Sequence, residues 1–307
     1  VKISSTKYLF IILFLFYSTA CFSQANDTTE NKNQEEYTSN PFKRIGRDLF
    51  IQAASPFHIS KDNAFMVGAG VFTTAALIAS DQGSYNTIKE MTEDTRLTNK
   101  ISHTITQLGG TYGIAFLGLF TGFSFIINDT KAKETSYLAV ESFLTSGIWG
   151  LAIKSLTGRE RPSSKNLNSH GPGGRWSGPF AYFGKHKGKS ISSFDAFPSG
   201  HTATAFSIAT IFANQYNKNL IVPIISYGLA SLVGISRIIE DTHWASDVFV
   251  GAVLGYLTSI EILKNNPSEL SRKQKSPMSQ NTFQKIKSHM SLGINPFDKS
   301  LSLSYLY

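Results

Sequence analysis

The sequence predicts an all-α fold, a bundle of six apolar helices, with a short β-hairpin at its C-terminal end. Three observations carry that prediction. First, six segments rich in Ala, Gly, Phe and Leu lie between polar ends, and each is too long for an ordinary strand. Second, the 307 residues are 41% hydrophobic with 23 Phe and 12 Tyr, which supplies far more burial than a disordered chain has. Third, the 16% charged share falls below the roughly 25% of an average soluble domain, while a mean hydropathy of −0.08 argues against a stack of long, purely apolar spans. One cysteine excludes a disulfide scaffold. The formal charge of +8 points to an anionic partner: nucleic acid, anionic lipid or a phosphorylated small molecule.

From the N-terminus, Lys2 and Lys7 precede the apolar run Tyr8–Tyr17, and small residues follow up to Ser23. This is the layout of a secretory signal peptide, expected over residues 1–23, with Cys21 as an alternative lipoprotein-type processing point. Residues 24–62 are read as a polar tether and lead-in. The six helical segments are Ala64–Ala79, Leu108–Asn128, Tyr137–Ile153, Thr202–Phe212, Leu220–Ile235 and Val248–Ile260. Only Leu108–Asn128 reaches the roughly 20 uncharged residues that span a bilayer unaided. The periodicity fits membrane helices and the buried helices of a soluble enzyme equally well. Gly68, Gly70, Gly118, Gly122, Gly251 and Gly255 are expected to admit close helix packing. Asp81–Gln107 reads as a polar amphipathic helix joining the first two segments. After a polar stretch from Asn265, His289–Ile294 and Leu301–Tyr307 alternate around Asn295–Lys299 as a hairpin does.

The charged residues flanking the last four segments form a pattern. Lys154 ends the third segment and is followed by Arg161-Pro162. Pro198-Ser199-Gly200-His201 opens the fourth, Ser236-Arg237 closes the fifth, and His243 precedes Asp247 at the start of the sixth. Helices running up and down would bring all four pieces to one end of the bundle. Lys154, Arg161 and Arg237 then supply three cations, two of them forks that match phosphate oxygens. Ser199 and Gly200 sit where a helix N-terminus favours an anion. His243 and Asp247, four apart, are expected to share a helix face, so that the carboxylate fixes the imidazole tautomer and frees the other nitrogen to attack. His201 is left to act as an acid. One nucleophile, one acid and three cations suit phosphoryl transfer.

The order and spacing of Lys154-x6-Arg161-Pro162, Pro198-Ser-Gly-His201 and Ser236-Arg237-x5-His243-x3-Asp247 resemble the three-part signature of the type 2 phosphatidic acid phosphatase (PAP2) superfamily. The resemblance implies a six-helix PAP2-type bundle, taken as membrane-embedded, over residues 63–264, with residues 265–307 as a polar tail. It implies that His243 attacks phosphorus and becomes phosphohistidine, that Asp247 orients it, and that His201 protonates the leaving oxygen. Lys154, Arg161, Arg237, Ser199 and Gly200 then hold the phosphoryl oxygens. No cofactor and no metal are expected.

The implied substrates are lipid phosphates: phosphatidylglycerol phosphate, undecaprenyl diphosphate, a lipid A phosphate or phosphatidate. The rival activities on the same fold are a secreted non-specific acid phosphatase and a vanadate-dependent haloperoxidase. A rival of another class, an anionic-lipid or nucleic-acid binding module, leaves His243, Asp247 and His201 unexplained, so no nucleic-acid partner is expected. The basic Arg159–Lys189 loop reads either as solvated or as a funnel for anionic substrate, with Trp176, Phe180, Tyr182 and Phe183 near acyl chains. A bacterial envelope location is expected. Six spans after a cleaved signal would turn the site toward the cytoplasm, whereas the basic tail (Arg272, Lys273, Lys275) argues for a site facing the periplasm.

Overall fold

The computed structural model describes residues 41–55, 61–92, 96–163, 173–179, 193–266, 290–294 and 301–305. The expected signal peptide, the tether before residue 41, the Lys165 and Lys185–Lys189 cations, the aromatics Phe180, Tyr182 and Phe183, and the basic tail lie outside the described residues. The helices, in order, are α1 Pro41–Ala54, α2 Lys61–Thr92, α3 Arg96–Leu108, α4 Thr111–Ile126, α5 Thr130–Thr157, α6 Gly200–Gln215, α7 Ile221–Ile239 and α8 Ala245–Asn265. Strands β1 Met290–Ile294 and β2 Leu301–Tyr305 pair antiparallel, Met290 opposite Tyr305, as the alternation predicts.

Local chemistry sets the helix ends. Asp129 caps α5 by accepting the Ala132 N–H at 2.6 Å. Gly158 ends the same helix in the left-handed region (φ 52°), a conformation that glycine adopts at least cost. That turn delivers Arg159 and Arg161 immediately beyond the helix. Ser199 caps α6, its hydroxyl accepting from Thr202 Oγ1 at 2.9 Å.

Helix α6 is central, packed by α5, α7 and α8. It is lined by small side chains, and two glycines of α8 let the backbones touch. A Cβ on Gly251 would lie 2.5 Å from the Ser199 carbonyl oxygen, and one on Gly255 2.2 Å from that of Ala203. The other four glycines singled out from the sequence do no such work: Gly68, Gly70, Gly118 and Gly122 have open space where a Cβ would go. Leu117, Leu138, Ala139, Ile208, Ile211 and Ile262 form the main apolar cluster, and the rest of the interior is largely hydroxyl-bearing, with Ser142 bonded to Ser259.

The outside is more apolar than the inside of a soluble bundle permits. Phe72 is 76% exposed, Ile126 83%, Leu220 73% and Ile224 70%. Such a surface is that of a membrane protein. By length and composition, the helices over Ala64–Thr92, Ile221–Ile239 and Ala245–Asn265 can each cross a bilayer. The segment expected to span unaided, Leu108–Asn128, is shorter than that: α4 within it has 16 residues and reaches spanning length only together with the end of α3, from which a 43° bend at Gly109-Gly110 separates it.

Two further expectations change. Helix α2 does not stop at Ala79; it continues through Asp81 to Thr92, and α3 follows as a separate amphipathic helix. Within residues 24–62, α1 is a docked helix: Arg44 pairs with Glu141 of α5, and Arg47 donates to Asn266 beyond α8 at 2.8 Å. Asp48 of α1, fully buried, accepts from Arg47 and Asn266. Burial of these charged groups is what makes a polar sequence look like a tether.

Candidate active site

The four signature pieces do meet at one end of the bundle. Lys154 lies in the last turn of α5, Gly200 and His201 open α6, Arg237 lies in the last turn of α7, and Asp247 lies in the first turn of α8. Lys154 Cε is 3.8 Å from where a Gly200 Cβ would sit, so the ammonium stem lies along the α6 N-terminus.

His243 is almost fully buried, in the turn before α8. Its Nδ1 lies 2.7 Å from the carbonyl oxygen of Ala196. A carbonyl only accepts, so Nδ1 carries the proton and Nε2 keeps its lone pair. This fixes the tautomer expected from the sequence, but by a different partner. Asp247 Oδ2 is 3.7 Å from Nδ1, too far for a hydrogen bond. The reason is local: α8 begins at Ala245 with Trp244 as N-cap, so His243 is not on the helix and the four-residue spacing does not place it on one face with Asp247. Asp247 is instead the third residue of the helix, and its carboxylate reaches back to the Trp244 N–H at 2.8 Å.

The second oxygen of Asp247 takes part in a buried network absent from the sequence reading. Arg159 Nη1 donates to Asp247 Oδ1 at 2.5 Å and to Ser246 Oγ at 2.6 Å; Nη2 donates to Asp81 Oδ2 at 2.6 Å and to the Gly173 carbonyl at 2.8 Å; Nε donates to the Gly173 carbonyl at 3.1 Å. All five guanidinium N–H groups are used. Arg159, Asp81 and Asp247 are essentially fully buried, so Arg159 belongs to the frame of the site and not to a basic loop surface. Asp81 also accepts the Ser246 N–H at 3.0 Å, tying α2 to the start of α8. Trp176, which is partly exposed, lies over the Arg159 guanidinium at 4.6 Å. Trp244 is buried and donates to the Glu160 carbonyl at 2.9 Å, the packing role its position suggests.

A second residue missed from the sequence is Asp195. Arg161 grips it with both Nε (2.6 Å) and Nη2 (2.9 Å), and Lys154 lies 3.7 Å from its Oδ2 while donating to its carbonyl oxygen. Burial raises the Asp195 carboxyl, but the adjacent Lys154 and Arg161 outweigh it and hold the group below the usual carboxylate range. Asp195 thus fixes two of the three cations. The third, Arg237, donates to Glu240 at 2.7 Å.

The histidines feel these cations. Burial, then Lys154, Arg161 and Arg237, press His243 well below its ordinary value. Burial, then Arg237, Lys154 and Arg161, lower His201 to about 4. Both are therefore neutral at pH 7. Ser199 is fully buried with its hydroxyl engaged by Thr202, so its available contribution is the capped helix end. Among the described residues, no three His, Cys, Asp or Glu side chains are grouped to hold a metal ion.

Residues 136–268 match the family model of the PAP2 superfamily. A 64-residue stretch, 20% of this chain, is 48% identical to the lipid A 1-phosphatase of Porphyromonas gingivalis, and the match spans only 14% of that relative's length. Among solved structures, LpxE of Aquifex aeolicus is 24% identical, with 58% of this chain and 93% of that chain covered and a TM-score of 0.43. A transmembrane PAP2-type phosphatidylglycerolphosphate phosphatase of Bacillus subtilis is 18% identical, with 78% and 99% covered and a TM-score of 0.39.

Proposed function

We propose that this chain, whose residues 136–268 match the PAP2 superfamily model, is a membrane phosphatase that hydrolyses phosphate monoesters or diphosphates of lipids through a phosphohistidine on His243. The observation that carries this reading is a buried neutral imidazole whose Nδ1–H is held by the Ala196 carbonyl, which leaves Nε2 as the lone-pair nitrogen, under the influence of Lys154, Arg161 and Arg237. Among the lipid phosphates, the stretch shared with a lipid A 1-phosphatase favours a lipid A 1-phosphate.

In the first step the Nε2 lone pair forms a bond to phosphorus while the bond from phosphorus to the leaving oxygen breaks. Nδ1–H keeps its bond to Ala196 and spreads the positive charge that develops on the ring. His201, protonated once the phosphate dianion offsets the cations around it, gives its proton to the leaving oxygen. Lys154, Arg161, Arg237 and the α6 N-terminus at Ser199-Gly200 stabilise the equatorial oxygens. In the second step water bonds to phosphorus, the P–N bond breaks, the water proton passes to His201, and inorganic phosphate leaves. Asp247 acts on His243 from a distance, by fixing the start of α8. The fixed cations do the work a metal would do, so activity survives EDTA.

The site is placed facing the periplasm, on the argument of the basic tail, and the reaction is assigned to the cell envelope. The test is phosphate release by the detergent-solubilised chain from lipid A 1-phosphate, phosphatidylglycerol phosphate, undecaprenyl diphosphate, phosphatidate and a water-soluble phosphate ester. Release from a lipid, lost in His243→Ala at unchanged melting temperature and retained in EDTA, is the expected result. Preference for the soluble ester would favour a non-specific acid phosphatase. Bromide oxidation with added vanadate would favour a haloperoxidase.

A further inference from the structure

The α3–α4 break lies directly against His201. A Cβ on Gly110 would be 2.9 Å from His201 Nε2 and 3.2 Å from its Cδ2. One on Gly109 would be 2.5 Å from Val233 Cγ1 and 2.7 Å from the His201 carbonyl oxygen. The break therefore has no room for a side chain beside the imidazole. The break is itself pinned to the end of α7 that carries Arg237: Ser102 donates to the Ser236 carbonyl at 3.1 Å, and Thr106 and Ser236 share a hydrogen bond of 2.7 Å. No hydrogen bond to either His201 ring nitrogen is seen among the described residues, so packing and not a polar partner sets the ring's position.

We infer that Gly109-Gly110 is the positioning element for His201: its side-chain-free backbone seats the imidazole and keeps Nε2 clear for proton transfer to the leaving oxygen. This rests on the acid role proposed for His201. A histidine held by packing alone is sensitive to displacement, and misplacing a reacting group by an ångström costs on the order of a hundredfold in rate. The sensitivity is confined to substrates that need the proton. An activated leaving group such as p-nitrophenolate departs without it, whereas an alkoxide does not. Gly110 is therefore a positioning residue whose effect depends on the leaving group, a signature that general loss of structure does not produce.

The experiment compares Gly110→Ala with the parent on p-nitrophenyl phosphate and on hexyl phosphate, measuring kcat and KM for each. Expected is a fall in kcat of about tenfold or more on hexyl phosphate and of no more than about threefold on p-nitrophenyl phosphate, with KM little changed on either. Gly118→Ala, where a Cβ meets open space, should match the parent on both. An equal loss on the two substrates, or none, overturns the inference. If Gly110→Ala does not fold, Val233→Ala replaces it: trimming the side chain against Gly109 loosens the break and should give the same selective loss at about threefold, and no selectivity overturns the inference. His201→Ala on the same pair separates the two readings. A loss there that ignores the leaving group removes the acid role itself; a selective loss there with none in Gly110→Ala removes only the positioning by the break.

Discussion

Replacing Arg159 by Met should be among the most damaging single changes outside the reacting groups. The side chain is fully buried and spends five N–H groups on Asp81, Asp247, Ser246 and Gly173. Methionine roughly fills the volume but leaves two buried carboxylates without a cation. Removing one partner from a buried charge cluster costs roughly 3–5 kcal/mol. At about 2–4 °C per kcal/mol for a domain of this size, the melting temperature should fall by roughly 10 °C. Arg159→Lys, with three donors in place of five, should fall between the parent and Arg159→Met. The asymmetry is informative: Asp81→Asn keeps a polar acceptor and leaves Arg159 paired with Asp247, so it should cost less than Arg159→Met. Phosphatase activity should drop with Arg159→Met even at temperatures where the protein is folded, because Asp247 caps the helix that follows His243. Thermal unfolding in detergent, with activity measured well below the transition, reads both effects. A melting temperature for Arg159→Met within about 1 °C of the parent would refute the buried network.

Two other changes test the electrostatics. Asp195→Asn keeps the shape but releases Lys154 and Arg161 from their carboxylate; substrate affinity should weaken by roughly tenfold through lost alignment, with the fold intact, and a gain in affinity would show that Asp195 competes with phosphate. The histidines set a pH window for stability. Their folded pKa values lie below the ordinary 6.5, about 4 for His201, so as pH falls below 6.5 the unfolded chain takes up protons that the folded chain does not. Stability should fall from pH 6.5 toward 4, by up to roughly 3 kcal/mol from His201 alone, and His201→Gln should flatten that slope. Asp195, held below its ordinary value, keeps its contribution through this range and loses it only at lower pH.

The parts of the site that the sequence displays are those whose roles are local. Lys154, Arg161, Arg237, the Ser199–His201 turn and His243 sit at helix ends, and helix ends follow from apolar periodicity. What is missing depends on contacts far apart in sequence. Asp81 breaks an apolar run and so reads as the end of a helix; it is tolerated there because Arg159, 78 residues away, neutralises it. Asp195 lies in an irregular segment with no pattern around it. The acceptor for His243 is a main-chain carbonyl, which any residue at position 196 would supply, so no residue type announces it. The N-cap at Trp244 changes the geometry between His243 and Asp247 by one turn of logic: counting four residues assumes a helix that has not yet begun. Gly109-Gly110 stands where the polar helix expected up to Gln107 gives way to the apolar segment expected from Leu108; the pattern sets that boundary but not the bend or its contact with His201.

The central claim is that His243 carries the phosphoryl group, and trapping it is the most direct test. The purified chain would be mixed with substrate labelled in the phosphate, quenched with alkali within the first turnover, digested, and mapped by mass spectrometry. The account predicts one acid-labile, alkali-stable phosphoryl group on the peptide bearing His243, absent in His243→Ala and accumulating when transfer to water is slowed. A phosphoryl group on another residue, or turnover in His243→Ala at a rate near that of the parent, would contradict it.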